Sequence, residues 1–220
     1  MATLLDDFRS GQWSRPPGLA PQHHVIVDLI PDGSRVLDLG CGEGDLLRAL
    51  MDLKNVRAEG IEISDDCIQA CVAKGVPNVN QGNLDEGLAD YEDGSIDYVI
   101  LADTIQVLHR PLQLLQEIAR VGRSCIAGLP NFAHWRARWQ LAVGGRMPKT
   151  PTLPYEWYDT PNIHLTTIKD FRAFCGVAGL EILREIPLRT VGGRCHEVRF
   201  LPNLLADQAV FVLKGTKATG

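Results

Sequence analysis

The 220-residue chain contains no run of about 18 apolar residues, so no segment is built to cross a bilayer as a helix. Its first residues, M-A-T-L-L-D-D-F-R, hold no basic region followed by an apolar one, which argues against an export signal. There is no CxxC pair, and the six cysteines, at positions 41, 67, 71, 125, 175 and 195, lie scattered in or beside apolar segments without zinc spacing. Cys67 and Cys71 stand one helical turn apart, but two ligands do not make a site. No metal is expected, and the thiols read as buried and free in a reducing cytoplasm. Basic charge is short as well: 22 Lys and Arg face 27 Asp and Glu, for a net charge of -5. That balance argues against nucleic acid as a general partner. With 45% hydrophobic and 22% charged residues the composition is that of an ordinary globular protein. At this length the expectation is one domain, residues 1–220, burying about 70% of its unfolded surface.

What is present centres on residues 35–45, R-V-L-D-L-G-C-G-E-G-D. Val36, Leu37 and Leu39 form a short apolar run suited to a buried parallel strand. Gly40, Gly42 and Gly44 follow at alternate positions, and L-L-R-A-L-M continues with helical spacing. The pattern is a strand, a glycine-lined turn and a helix start, where a ligand can lie against bare backbone. The dinucleotide fingerprint would need a third glycine at position 45, which is Asp45. Asp38, Glu43 and Asp45 also give the loop three carboxylates and no base, which suits a pyrophosphate poorly. The sulfonium and ammonium of S-adenosylmethionine (SAM) fit better. About 20 residues on, V-R-A-E-G-I-E-I reads as the next strand, with Glu62 at its tip positioned to accept hydrogen bonds from ribose hydroxyls.

Elsewhere strands and helices alternate. A leader, residues 1–20, carries one aromatic anchor, Trp13, and is expected to pack on the surface or remain mobile. A helix is expected from Pro21, with His23 and His24 solvated or facing a partner. Ser64 reads as an N-cap, followed by Asp65 and Asp66 in the first turn. V-P-N-V-N-Q-G reads as a short edge strand, and I-D-Y-V-I-L-A as a buried fourth strand. A helix opened by Pro111 and stopped by Gly122 leads into a fifth strand, S-C-I-A-G-L. A helix over 167–179 and strands near 181–188 and 208–214 complete an α/β, doubly wound, mostly parallel sheet with helices on both faces.

Residues 130–166 break this rhythm. They hold three of the four tryptophans, two of the four tyrosines, several prolines, and Arg136, Arg138 and Arg146. A connection this long is functional or disordered, and its aromatic content argues against disorder. Following strand five, it should cover the carboxyl edge of the sheet as a lid or a partner-binding insertion. Trp135 and Trp139 fall on one face of an expected helical turn, where they either pack on the sheet or meet a partner.

D-L-G-C-G-E-G and the acidic tip at Glu62 resemble the class I SAM-dependent methyltransferases. Beyond them, I-D-Y-V-I-L-A-D-T-I-Q-V-L, G-L-P-N-F-A-H-W-R-A-R, G-R-M-P and L-P-Y-E-W-Y-D-T-P-N-I-H-L-T-T make the chain similar to the MetW family of methionine biosynthesis over roughly residues 35–180. The resemblance implies a seven-stranded, Rossmann-like sheet whose seventh strand runs antiparallel between the fifth and sixth. It implies SAM or S-adenosylhomocysteine (SAH) as cofactor, and a role beside homoserine O-acyltransferase as accessory or regulatory partner. The alternative is a SAM-dependent methyltransferase acting on a small metabolite. The cofactor-binding residues expected are Asp38, Gly40, Cys41, Gly42 and Gly44 in the loop, Glu62 and Ile63 at the second strand tip, Asn83 and Leu84 after the third, and Ala102 ending the fourth. The methyltransferase pattern has an acidic residue where Asn83 stands, and an asparagine carbonyl accepts the adenine amine without charge. Methyl transfer needs alignment and at most one base, so the catalytic candidates are only His109, His134, Asp159 and His164.

Overall fold

The computed structural model describes residues 19–216. The expected leader, apart from Leu19 and Ala20, lies outside the described residues with its Trp13, as do residues 217–220. The elements, in order, are α1 (Pro21–Leu29), β1 (Arg35–Leu39), α2 (Asp45–Lys54), β2 (Arg57–Glu62), α3 (Asp65–Ala73), β3 (Val79–Gln81), β4 (Ile96–Ala102), α4 (Pro111–Val121), β5 (Gly122–Pro130), α5 (Trp135–Gly144), α6 (Ile168–Val177), β6 (Leu180–Val191), β7 (Arg194–Glu197), α7 (Pro202–Leu205) and β8 (Gln208–Gly215). Short 3-10 turns occupy Leu84–Glu86 and Ile105–Val107.

The strands form one sheet in the order β3-β2-β1-β4-β5-β8-β6-β7. β1 to β5 pair in parallel, and β8 runs antiparallel between β5 and β6, as the resemblance implies. The sheet has eight strands, one more than expected. The extra strand, β7, is a hairpin partner of β6, closed by Gly192 and Gly193 between the paired Val191 and Arg194. Both glycines have positive φ, 56° and 73°, the backbone that two-residue hairpin turns demand. A Gly-Gly pair between two apolar-rich stretches was the available sequence signal.

Burial falls on both faces of the sheet. One face packs Leu114, Leu115 and Ile118 of α4 and Phe171 of α6 against Val99, Cys125 and Phe211. The other packs Ile26 of α1 and Leu47 and Leu50 of α2 against Val36, Ile100, Ile126 and Val210. A three-layer arrangement explains why β1 and β4 read as continuous apolar runs: both sides of each strand are covered. Helix starts follow local chemistry. Pro111 opens α4, Ser64 Oγ accepts from Cys67 N at 3.4 Å, and Thr167 Oγ1 accepts from Asp170 N at 3.2 Å.

Residues 130–166 hold α5, an isolated bridge between Thr150 and Leu153, and loops. Both ends of the segment are tied to buried Asn131. Its amide donates to Ala206 O at 2.8 Å, and its Oδ1 accepts from Ala133 N at 3.1 Å and Ile168 N at 3.3 Å. The tryptophans do not pack on the sheet. In α5 only Ala137 is buried, while Trp135 and Trp139 are 41% and 63% exposed. The helix has no continuous apolar face, since Arg136, Arg138 and Gln140 interleave with its apolar residues.

Candidate functional site

Sheet order reverses where β1 lies between β2 and β4, and a crevice opens there at the carboxyl ends of the strands. It has a volume of about 450 Å³, with Gly40, Glu62, Ile63, Asn83, Leu84, Asp103, Thr104 and His109 among its walls. The turn that starts it is fixed by close approach. Gly40 has φ +75°, and a Cβ there would sit 2.7 Å from Thr104 Oγ1. That hydroxyl is held in place, 2.9 Å from Leu39 O and 3.0 Å from Ala102 O, where it links the tips of β1 and β4. Gly44, at φ +78°, leaves room for the Cys71 thiol, which donates to Gly42 O at 3.1 Å.

Glu62 organises the loop. One carboxylate oxygen accepts from Gly42 N at 2.8 Å, and the other from Ile63 N at 2.9 Å and Ser64 N at 3.0 Å. A carboxylate offers about four acceptor positions, so one remains for a ligand hydroxyl. Asn83 uses its Oδ1 to accept from Asp85 N at 3.1 Å, capping the 3-10 turn, which leaves that oxygen one further lone pair. Asp85 lines the same crevice, and its carboxylate accepts from His109 N at 3.2 Å and Arg110 N at 2.7 Å ahead of α4.

The loop is less acidic than its sequence implies. Lys74 reaches from the end of α3 to Glu43 at 3.0 Å and Asp45 at 2.7 Å, pairing two of the three carboxylates. Asp38, 3% exposed, is the third. Burial, and then the charge of Glu62, push its carboxyl up to about 7. Cys41 is buried, and burial followed by Asp38 drives its thiol well above the ordinary range, which leaves it a protonated packing group. His23 and His24 are not solvated, because α1 lies against α2. His24 is buried, and burial together with His24 lowers His23 to about 4, against the raising influence of Asp45.

Of the residues expected to hold a cofactor, Gly40, Glu62, Ile63, Asn83 and Leu84 line the crevice. Asp38, Cys41, Gly42, Gly44 and Ala102 are not among its wall residues. Of the four catalytic candidates only His109 reaches it. His134 is buried at the start of α5, and burial, then Arg136 and Arg189, lower it to about 4. Asp159 accepts from Glu156 N at 2.9 Å within its own loop, and His164 is held through its backbone N–H by Gln106 O at 3.0 Å.

A second cleft, about 510 Å³, adjoins the first and shares Asp103 and Val107 with it. Gln22, Gln106, Tyr155, Thr190 and Gln208 also line it. Tyr155 belongs to the aromatic segment whose residues were expected to line or plug a pocket; sequence reasoning missed the other four, together with Asp103. Asp103 follows the last residue of β4 at the carboxyl edge, in a left-handed conformation with φ +55°, and that position past a buried strand was the one available signal. Although solvent reaches Asp103, surrounding protein raises its carboxyl to about 6, against the amide of Gln22, which donates to it. Among the described residues no group of three His, Cys, Asp or Glu side chains is arranged to hold a metal ion.

Comparison with known proteins agrees with this architecture. The chain matches a bifunctional methionine biosynthesis protein MetXA/MetW of Rhodopirellula baltica at 37% identity over 194 residues, which is 84% of this chain and 31% of that one. It therefore spans about a third of that relative's length. A SAM-dependent methyltransferase of Thermotoga maritima, a possible histamine N-methyltransferase, superposes with a TM-score of 0.65 at 17% identity, covering 88% of this chain and 87% of its own. Magnesium protoporphyrin IX methyltransferase of Synechocystis, solved with bound SAH, superposes at 0.63 and 16% identity, covering 98% and 95%. Both share the fold. The family described as methionine biosynthesis protein MetW matches residues 20–213, and the chain belongs to that family.

Proposed function

We propose that the chain binds SAM or SAH in the glycine-loop crevice and serves methionine biosynthesis in the cytoplasm as the accessory or regulatory partner of a homoserine O-acyltransferase. In this reading Glu62 takes a ribose hydroxyl at its remaining acceptor position, and Ile63, Leu84 and Asn83 flank the adenine. Asp38 supplies negative charge behind the loop for the sulfonium and ammonium. The relative from Rhodopirellula baltica supports a partner, since its name joins MetXA and MetW in one polypeptide. Fusion raises the effective concentration of two modules that work together.

The observation that carries the regulatory part is the turn Ile105–Val107. Val107 and the adjacent Leu108 wall the crevice, and Gln106 O accepts from both Ile163 N at 2.9 Å and His164 N at 3.0 Å in the 130–166 segment. A ligand that shifts this turn moves the segment that presents Trp139, Trp157 and Tyr158 to solvent, at 63%, 72% and 71% exposure. SAM lies downstream of methionine, so its occupancy would report the pathway's output. Linkage requires SAM to change partner affinity by the factor by which partner changes SAM affinity. The test is the rate of homoserine acylation by the partner enzyme, with and without this protein, across a SAM titration. Dependence on the protein is expected, with a rate that moves with SAM; an unchanged rate throughout refutes the accessory role.

The second cleft favours one other reading, a SAM-dependent methyltransferase whose small-molecule acceptor lies beside the cofactor. It expects SAH release when the protein meets metabolite pools, and loss of that release in Glu62→Ala.

A further inference from the structure

The second cleft carries negative charge with no positive charge among its described wall residues. Gln22 and Gln106, 3% and 6% exposed, both line it. The side-chain oxygen of each is buried with no hydrogen-bond partner among the described residues. The Gln22 amide is oriented by its bond to Asp103, since only the nitrogen can donate to a carboxylate, so its oxygen is left as the unpaired end. Buried acceptors without donors are costly and are uncommon in folded proteins. Asp103 brings the cleft's carboxylate, beside the neutral polar side chains of Thr152, Asn162, Thr190 and Gln208. Among the described residues no Lys, Arg or His lines the cleft. Pro21, Pro130, Pro151, Pro154 and Pro161 supply apolar wall and have no N–H to offer. The Tyr155 ring adds a face on which a cation can rest.

We propose that this cleft binds a small molecule bearing a protonated amine, with Asp103 as counter-charge and the Gln22 and Gln106 side-chain oxygens as acceptors. An ammonium carries three N–H donors, for Asp103 and for the two glutamine oxygens, which lie buried in the wall and turn to meet it. A ligand carboxylate would meet Asp103 with no cation to offset it, so acids and zwitterions whose carboxylate enters first are disfavoured. A volume near 510 Å³ suits a metabolite-sized ligand. The assignment deepens the methyltransferase reading by naming the class of molecule beside the cofactor crevice. Binding alone tests it, so an absence of methyl transfer leaves it standing and an absence of amine binding removes it.

The test titrates the full-length protein, with and without SAH, with 4-amino-1-butanol, 1,4-butanediol and 4-hydroxybutyrate, followed by ligand-observed NMR and calorimetry. Saturable amine binding is expected, with the diol and the acid weaker by about tenfold or more. Asp103→Asn should weaken the amine by about tenfold and leave the diol unchanged. Asparagine tolerates the left-handed backbone at this position, so the fold should survive. Gln106→Leu provides a second arm and should narrow the amine's advantage over the diol. Equal binding of amine and diol, tighter binding of the acid, or an amine affinity untouched by both substitutions overturns the proposal.

Discussion

The glycine-loop crevice takes Gly40, Glu62 and Asn83 from positions at or just past successive strand ends. The neighbouring cleft draws Gln22, Asp103, Gln106, Tyr155, Thr190 and Gln208 from stretches spread along the whole chain. The two also differ in how their polar groups are settled. Glu62 and Asn83 already accept backbone N–H groups, whereas Gln22 and Gln106 each leave an oxygen without a partner among the described residues. The first is a cradle shaped by the fold itself, and a ligand adds to bonds already made. In the second, the proposed amine would supply donors that the described residues do not. Substitutions in the first should therefore cost stability, and substitutions in the second should cost recognition.

The largest effect expected is at Gly40. Alanine there must hold a left-handed backbone, costing about 1–2 kcal/mol, and push aside Thr104, for about 3 kcal/mol in all. Gly42 is also left-handed, at φ +54°, but a Cβ there meets nothing within 4 Å. Gly42→Ala should cost only about 1 kcal/mol. Urea unfolding of the two variants separates backbone strain from crowding, and equal losses would break the contrast. Next comes Glu62→Gln. It keeps the side chain's shape but turns an NH₂ toward backbone N–H groups, for a loss of about 2 kcal/mol. Thermal unfolding should register this loss, while Asp103→Asn in the other cleft should not lower stability.

A smaller and more diagnostic effect lies in pH. Asp38 and Asp103 hold their protons more tightly folded than unfolded, being raised from 3.8 to about 7 and about 6. The folded state therefore binds more protons between those values, so their contribution to stability falls as pH rises from about 4 toward 7. Binding of a cationic cofactor runs the other way, because it needs Asp38 ionised against the nearby charge of Glu62. SAM affinity should rise with pH by up to about tenfold per unit below 7 and level off above it. Asp38→Asn should flatten the affinity curve and remove its own share of the stability slope, leaving that of Asp103, as calorimetric titration and melts at several pH values would record.

How much of this was readable in advance follows from the same contrast. β1, Gly40 to Gly44 and Glu62 lie within one strand-turn-helix-strand unit, where period, glycine spacing and strand length act locally, and the sequence carried them. Gln22 reaches Asp103 across 81 positions, and Gln208 meets the carboxyl edge only because β8 runs antiparallel beside β5. Neither fact has a local signature. Lys74 neutralises Glu43 and Asp45 from the far end of α3, so the loop's charge was misread as wholly unpaired. His23 and His24 read as surface residues because nothing in their neighbours announces that α2 will cover them. The Gly192-Gly193 hairpin did have a local signal.

The smallest effect on stability, and the sharpest test of the exposed segment, is expected from Trp139 and Trp157. Each leaves most of its ring in solvent, at 63% and 72% exposure. Trp157 packs edge-on against Tyr158, 5.6 Å between ring centroids, and both are more than two-thirds exposed. Replacing either with alanine removes little buried surface, so unfolding free energy should change by less than about 0.5 kcal/mol. Tryptophans at protein interfaces are commonly anchors worth about 2 kcal/mol or more on truncation, a loss of around thirtyfold in affinity. If the 130–166 segment meets the acyltransferase, Trp139→Ala and Trp157→Ala should fold normally, bind SAM normally and lose stimulation of acylation. If instead both destabilise the chain, the segment is a closure of the fold rather than a docking face.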